Sequence, residues 1–311
     1  MNEIKVQCGL EALSGIGEFR RSLQDQLERE ISAAAPHTVI ISNEHCSSRL
    51  VNTSEISRLR KLLAQIFSNI SVVIYLRSQG ESLRSAYSTQ IKTGSTAEFD
   101  YPSPDLIESR YNYDAILDKW ETVFGKQNID VRMFSVEDFI GGDVVTDFIE
   151  RLGLDIPTDD IGREPNKNVS LSAFSIEFLR SLNRFVPYTI DGQMNPLRGN
   201  LHDLVEQFSD TVPYEGNAKI MAALDLAASE GNERVRRRYF PDRPAPLFTS
   251  PRSSVPIGEV TEVVPEAAIQ LIARLWEAKQ QQVLQLRQRL ERPREIGGGA
   301  PKGAAGRRTK S

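Results

Sequence analysis

The chain has 311 residues, of which 40% are hydrophobic and 26% are charged, and its formal net charge is −4. This composition is ordinary for a folded globular protein, and so small a negative charge argues against a nucleic-acid or membrane-surface partner. No apolar run approaches the roughly 20 residues of a membrane span, and the first residues lack the pattern of a secretory signal, so we expect a cytoplasmic protein.

The N-terminal half of the sequence alternates between helical and extended patterns. Apolar residues at every fourth position predict an amphipathic helix over residues 10–32. The β-branched run at 38–41 predicts a short buried strand, and Thr53 begins a helix that we expect to reach about Asn69. The remaining elements follow in order: a strand at 71–76, a helix that includes Leu83 and Tyr87, a helix at 112–124, a strand at 129–134 and a helix at 143–152. This alternation predicts an α/β fold with a parallel sheet.

Beyond Pro157 the pattern changes to helices and loops. Helices are predicted at 172–185, at 201–209 and at 267–290, the last docking on the body of the protein or, as a weaker alternative, mediating self-association. The segment 293–311 is rich in Gly, Ala, Arg and Lys and is predicted to be disordered. We therefore predict three parts: an α/β domain at 1–260, a C-terminal helix at 261–292 and a disordered basic tail at 293–311.

A candidate anion site follows the strand at 71–76. Arg77 comes directly after this strand, and Ser85 lies near the start of the next helix. A guanidinium binds phosphate oxygens bidentately, a hydroxyl adds a donor, and a helix N-terminus favours an anion. On spacing alone, a surface salt bridge and a solvated serine explain the pair better, because an arginine and a serine at this separation are common by chance.

Further sequence motifs surround this pair. They are Tyr75-Leu76-Arg77, Ser85-Ala86-Tyr87, Lys92-Thr93-Gly94, the upstream Ser42-Asn43-Glu44-His45, the stretch from Tyr113 to Phe134, Asn166-Lys167-Asn168, and Asn232-Glu233-Arg234 through Tyr239-Phe240. Together they resemble the sulfotransferases that use 3′-phosphoadenosine 5′-phosphosulfate (PAPS), especially the bacterial sulfotransferase-like proteins. In that family an Arg-x7-Ser motif binds the 3′-phosphate of the cofactor, and Arg77 and Ser85 match it. The resemblance implies a parallel-sheet fold like that of the P-loop nucleoside triphosphatases, with a helical C-terminal part.

The same resemblance points to two more site residues. Glu44 matches the glutamate that takes the acceptor's proton in some branches of the family, whereas His45 is the residue type used as base in the small-molecule branch. A capping or solvated role for Glu44 is the alternative. Lys92 either contacts the cofactor or an anionic acceptor at the mouth of the cleft, or is an exposed lysine stabilised by the helix dipole.

One part of the family pattern is missing from the sequence. Family members carry a loop similar to Lys-x-Gly-Thr-Thr between a first strand and a helix, and its N–H groups hold the 5′-phosphosulfate. The segment 14–17, Ser-Gly-Ile-Gly, has neither the lysine nor the two threonines. We therefore expect a fold that lacks its first strand, in a chain that is either truncated upstream of Met1 or a degenerate family member.

The predicted function is transfer of a sulfuryl group from PAPS to a hydroxyl of a carbohydrate or metabolite. The alternative is a truncated or degenerate, noncatalytic binding module, so enzymatic activity depends on the missing loop being supplied or replaced. A nucleotide kinase is a weaker interpretation, because it needs the same loop and a magnesium-binding carboxylate. Three histidines and two cysteines without a cluster argue against a metal site. Variable loops at 95–110 and 187–215 are the expected surroundings of the acceptor.

Overall fold

The computed structural model describes residues 13–43, 45–154, 156, 171–195, 198–209 and 212–249, together with separate positions between 271 and 286. The helices and strands run in this order: α1 (Leu13–Ala34), α2 (His45–Arg49), α3 (Thr53–Leu63), β1 (Val72–Leu76), α4 (Gln79–Lys92), a short helix (Pro104–Leu106) continued by a π-helical turn (Ile107–Tyr111), α5 (Tyr113–Phe124), β2 (Ile129–Met133), α6 (Val144–Arg151), α7 (Ala173–Leu182), β3 (Thr189–Ile190), β4 (Gln193–Met194), α8 (Leu201–Gln207), α9 (Ala218–Ala227) and α10 (Ser229–Tyr239).

Strands β1 and β2 form a parallel pair. Tyr75 lies opposite Arg132, and Leu76 lies opposite Met133. The connection between the strands contains helices α4 and α5, as a parallel pair requires a long crossover. The described residues therefore form a helix-rich structure with a small, two-stranded parallel sheet, which is compatible with the predicted α/β class.

The prediction of a buried strand at 38–41 was wrong. These residues have no regular secondary structure, and Ile40 and Ile41 are 50% and 57% exposed. A strand needs a neighbour to satisfy its backbone N–H and C=O groups, and within the described residues the parallel sheet contains only β1 and β2. A β-branched run alone does not supply that neighbour, so this segment does not extend the sheet.

Most helices begin where local capping chemistry places them. Asn52 accepts a hydrogen bond from the Glu55 N–H while the Glu55 carboxylate accepts one from the Asn52 N–H, a reciprocal arrangement that starts α3. Asn112 caps α5, and Gly125 ends it with a φ of 84°. Helix α3 ends at Leu63, not near Asn69 as predicted. Helices α1, α5, α6, α7 and α8 match the predicted helices within a few residues.

Two larger hydrophobic clusters hold the described elements together. The first packs both strands against α3, α5 and α10, and its most buried members are Ile56, Leu117, Val235 and Leu247. The second surrounds the C-terminal half of α4 and contains Tyr87, Ile91, Leu171, Ile176, Leu179 and Val205. Leu271 is buried and Leu275 packs on this second cluster, so this stretch of the predicted C-terminal helix contacts the body. The tail at 293–311 lies outside the described residues.

A buried polar network joins α6 to the sheet. Asp147 is 1% exposed and accepts hydrogen bonds from Tyr75 Oη at 2.7 Å, Arg151 Nε at 2.6 Å and the Ile140 N–H at 3.1 Å. Arg132 Nη1 donates to Tyr75 Oη at 3.1 Å. Burial alone would raise the pKa of Asp147, but the hydrogen bonds from Arg151 and Tyr75 outweigh it, and the net pKa is lowered. The carboxylate is therefore ionised in the folded protein at neutral pH.

Among the described helices, none combines the length and the apolar character that crossing a membrane requires.

Candidate anion-binding site

Hydrogen bonds to the backbone fix the junction between β1 and α4. The Leu76 carbonyl accepts from the Phe134 N–H at 2.6 Å, which continues the parallel pairing past the ends of the strands. The Arg77 carbonyl accepts from Tyr113 Oη at 3.0 Å, and the Ser78 hydroxyl accepts from the Glu81 N–H at 3.2 Å. Burial raises the pKa of Tyr113 to about 12, so its hydroxyl stays protonated and donates. Hydrogen bonds at Leu76, Arg77 and Ser78 therefore fix the backbone from which the Arg77 side chain extends.

The Arg77 guanidinium has no carboxylate partner among the described residues. Its Cζ atom lies 5.6 Å from the centre of the Phe134 ring, and the side chain is half-buried. The Glu81 carboxylate forms an ion pair with Arg84. It also attracts the charge of Arg77 electrostatically, which favours the protonated guanidinium. Burial lowers the pKa of Arg77, although an arginine at this position remains protonated at neutral pH. The junction thus carries a partly desolvated positive charge that forms no ion pair with a carboxylate of the described residues.

Ser85 lies in the second turn of α4 and is half-buried. Residues three apart on a helix share a face, so Ser85 lies on the same face as Ser82. The Ser82 side chain interacts with the Tyr113 hydroxyl, which in turn bonds the Arg77 carbonyl. Arg77 and Ser85 accordingly belong to one strand–helix unit, with Ser85 about 9 Å along the helix axis from Gln79.

The N-terminus of α4 is occupied by a carboxylate of the protein itself. Asp225 Oδ1, on α9, accepts a hydrogen bond from the Gly80 N–H at 2.8 Å. Burial raises the pKa of Asp225, which the bond from Gly80 partly opposes. The expectation that the N-terminal N–H groups of this helix receive an external anion is therefore wrong at Gly80. An anion at the junction therefore cannot use the Gly80 N–H, and the proposed contacts come from side chains.

Lys92 lies at the other end of α4. Its Nζ atom is 3.4 Å from Glu206 Oε1 on α8, and its carbonyl accepts from Arg198 Nη2 at 3.3 Å. The helix separates Lys92 from Gln79 by about 20 Å. The structure therefore does not bring Lys92 beside Arg77, and it gives the ammonium group a structural partner. A contact between Lys92 and the cofactor stays a prediction.

Glu44 lies outside the described residues. Its neighbours are placed: the Asn43 side-chain oxygen accepts from the His45 N–H at 2.8 Å, and α2 begins at His45. The strand at 38–41 that was expected to carry Glu44 to the edge of the sheet is not formed. The role of Glu44 as base stays a prediction.

The arginine-rich segment on α10 is neutralised by acidic residues. Glu233 accepts from Arg236 and Arg237, and these bonds lower its pKa to about 2. The other pairs join α10 to α5: Arg234 with Asp114, and Arg238 with Asp114, Asp118 and Glu121. This basic run therefore helps to pack α10 on α5, and each of its arginines has a carboxylate partner.

A cavity of about 180 Å³ lies near the junction, between α5, α9 and α10. Tyr111, Tyr113 and Asn232 line it, whereas Arg77 and Ser85 do not. Ligand pockets usually measure about 300–1,000 Å³, so this cavity is too small for a nucleotide. The junction around Arg77 is a separate surface. Within the described residues, no group of three or more His, Cys, Asp or Glu side chains is placed to hold a metal ion.

Comparison with known proteins finds sequence similarity to an uncharacterized protein. An uncharacterized protein of Archaeoglobus fulgidus is 32% identical over 135 residues, which cover 43% of this chain and 35% of that protein. The chain thus matches about a third of the length of this curated relative. No family model matches the sequence, and no solved structure matches it.

Proposed function

We propose that the protein binds PAPS at the β1–α4 junction and transfers its sulfuryl group to a hydroxyl of a carbohydrate or related metabolite. The observation that carries this proposal is Arg77, a half-buried guanidinium without a carboxylate partner among the described residues, at the carboxyl end of a parallel strand. Ligands of open α/β sheets bind at that edge. A partly desolvated cation without a counter-ion favours an anionic ligand.

The proposed roles follow from the chemistry of each side chain. Arg77 binds two oxygens of the 3′-phosphate, and the Ser85 hydroxyl donates to a third. Glu44 removes the proton of the acceptor hydroxyl as its oxygen attacks sulfur. A new oxygen–sulfur bond forms, the bond between sulfur and the bridging oxygen of the 5′-phosphate breaks, and adenosine 3′,5′-bisphosphate leaves. The proposal requires no metal ion.

The second candidate function is nucleotide binding without catalysis. The sequence favours it in one respect, since segment 14–17 has neither the lysine nor the two threonines of a phosphate-binding loop. Both candidates use Arg77 and Ser85 in the same way, so binding alone does not separate them.

Replacing Arg77 with alanine is expected to weaken binding of adenosine 3′,5′-bisphosphate by about 10- to 100-fold, since a hydrogen bond to a charged group contributes roughly 1.5–3 kcal/mol. Isothermal titration calorimetry on the full chain measures the change. Arg237→Ala is the matched control, because it removes the same charge from a carboxylate-paired arginine on α10, and it should leave affinity unchanged. Equal affinity of wild type and Arg77→Ala would exclude Arg77 as the phosphate ligand.

Replacing Glu44 with glutamine separates the two candidates. For a sulfotransferase, we expect PAPS-dependent sulfation of a hydroxyl acceptor by the wild type and a loss of about 100-fold or more in Glu44→Gln, because general-base catalysis typically contributes 10²–10⁴-fold. Nucleotide affinity should stay the same. Sulfation by the variant at the wild-type rate removes Glu44 from the mechanism, and binding without any turnover in the wild type supports the noncatalytic module.

A further inference from the structure

Phe134 lies beside Arg77 at the carboxyl end of the sheet. It directly follows β2, and its N–H bonds the carbonyl of the residue before Arg77. Its ring is part of an aromatic group with Tyr75 and Phe139, whose ring centres are 6.4 Å and 5.3 Å away and whose planes are nearly perpendicular to it. The group therefore holds the Phe134 ring in a defined orientation under the guanidinium.

The exposure of Phe134 does not fit a core residue. Phe134 is 44% exposed, whereas the preceding Met133 is 6% exposed. The hydrophobic effect alone would bury so large a ring more completely. Besides its aromatic neighbours, the Phe134 ring makes a cation–π contact with the Arg77 guanidinium, whose Cζ atom is 5.6 Å from the ring centre.

A carboxylate and an aromatic ring orient an arginine in different ways. A carboxylate neutralises the charge, as Glu81 does for Arg84 and Asp130 does for Arg132. An aromatic face attracts the guanidinium through its quadrupole and leaves the full positive charge in place. The stack on Phe134 therefore restricts the Arg77 side chain, while no carboxylate of the described residues pairs with its N–H donors.

We infer that Phe134 is a positioning residue, whose ring holds the Arg77 guanidinium in the orientation that binds a phosphate group of the ligand. This inference rests on the proposed function for the identity of the nucleotide, but it requires only that Arg77 binds an anionic phosphate. Holding the side chain in place before binding reduces the conformational entropy that is lost when the anion binds.

The test measures binding of adenosine 3′,5′-bisphosphate and of inorganic pyrophosphate to the full chain by calorimetry. Phe134→Leu is expected to weaken binding of the phosphate ligand about five- to tenfold, while Phe134→Tyr, which keeps an aromatic face, stays within about twofold of wild type. In an Arg77→Ala background, Phe134→Leu should cause no further loss, since the ring acts through the guanidinium. Val136→Ala, a change at another exposed apolar residue of the same loop, is the matched control and should have no effect.

The outcomes distinguish this inference from the proposed function. Binding that depends on Arg77 but not on Phe134, or equal losses in Phe134→Leu and Phe134→Tyr, overturns the inference and leaves the function standing. Pyrophosphate binding with the expected pattern, in a chain that does not bind the nucleotide, supports the inference and overturns the function. A chain that binds neither probe overturns both. Thermal melts accompany each titration, and Phe134→Met replaces Phe134→Leu under the same criteria if the leucine variant melts early.

Discussion

Replacing Asp147 with asparagine is expected to lower the free energy of unfolding by about 3–5 kcal/mol. The Asp147 carboxylate is 1% exposed and accepts from Tyr75, Arg151 and the Ile140 N–H. An amide in its place presents an NH₂ group to these donors and removes the negative charge beside the buried Arg132. The loss is measured as the shift of the urea unfolding midpoint at constant slope.

Asp130→Asn is the matched control, because Asp130 pairs with the same arginine from an exposed position. Asp130 is 47% exposed, so water can partly replace its charge, although its partner Arg132 is only 3% exposed. The control is therefore expected to lower stability by less than Asp147→Asn does. Similar losses in both variants would show that burial of Asp147 is not what makes its interactions strong.

The same comparison has a defined pH dependence. The folded-state pKa of Asp147 is lowered, so the stability that it provides is complete above the unfolded-state pKa of about 4 and falls as the pH drops toward the folded-state value. The difference between wild type and Asp147→Asn should consequently shrink below about pH 4. A constant difference from pH 7 to pH 3 would contradict an ionised carboxylate in this network.

Local sequence signals were sufficient for elements that carry their own boundaries. Asn112 and Gly125 enclose α5, and a continuous β-branched run produces β1. Each of these signals acts within a few residues, through a cap or a repeat of apolar positions. The α/β class follows from the order of such elements, and for that reason it was predictable.

The errors occurred where a segment depends on a distant partner. The run at 38–41 has the composition of a strand, but its state is decided by whether another strand lies beside it. Helices α9 and α10 were not predicted, since the former is apolar on several sides and the latter is held by ion pairs to α5. The sequence did contain a signal for α10. Glu233 is followed by Arg236 three residues later and by Arg237 four residues later, the spacings at which oppositely charged side chains pair on a helix.

In the candidate site, too, the local features were predictable and the contacts with residues distant in sequence were not. The position of Arg77 after β1 was predictable from the sequence, and so was Ser85 on the following helix. The aromatic partner of Arg77 and the carboxylate at the N-terminus of α4 were not, because Phe134 and Asp225 are far from the junction in sequence. The sequence singled out Arg77 and Ser85 as candidate ligand-binding residues, whereas only the structure shows which residues surround them.

Replacing Gly80 with alanine is expected to lower the free energy of unfolding by about 1–3 kcal/mol, although alanine favours a helix more than glycine does. A Cβ atom at position 80 would lie 2.9 Å from Met221 Cβ, 3.0 Å from Asp225 Oδ2 and 3.2 Å from the Met221 carbonyl oxygen. The backbones of α4 and α9 approach closely at this point. Relieving the clash moves α9 away and stretches the hydrogen bond from Gly80 to Asp225.

Gly17→Ala is the matched control, since it makes the same substitution in α1 at a position where a Cβ atom meets nothing within 4 Å. Helix propensity alone then applies, and stability should rise by up to about 1 kcal/mol. Thermal and urea unfolding of the two variants, measured side by side, are therefore expected to shift in opposite directions. If both glycines tolerate alanine equally, the contact between α4 and α9 is looser than 2.9 Å implies. The steric contact with Met221 would then not be what holds α9, and with it the Asp225 carboxylate, at the Gly80 N–H.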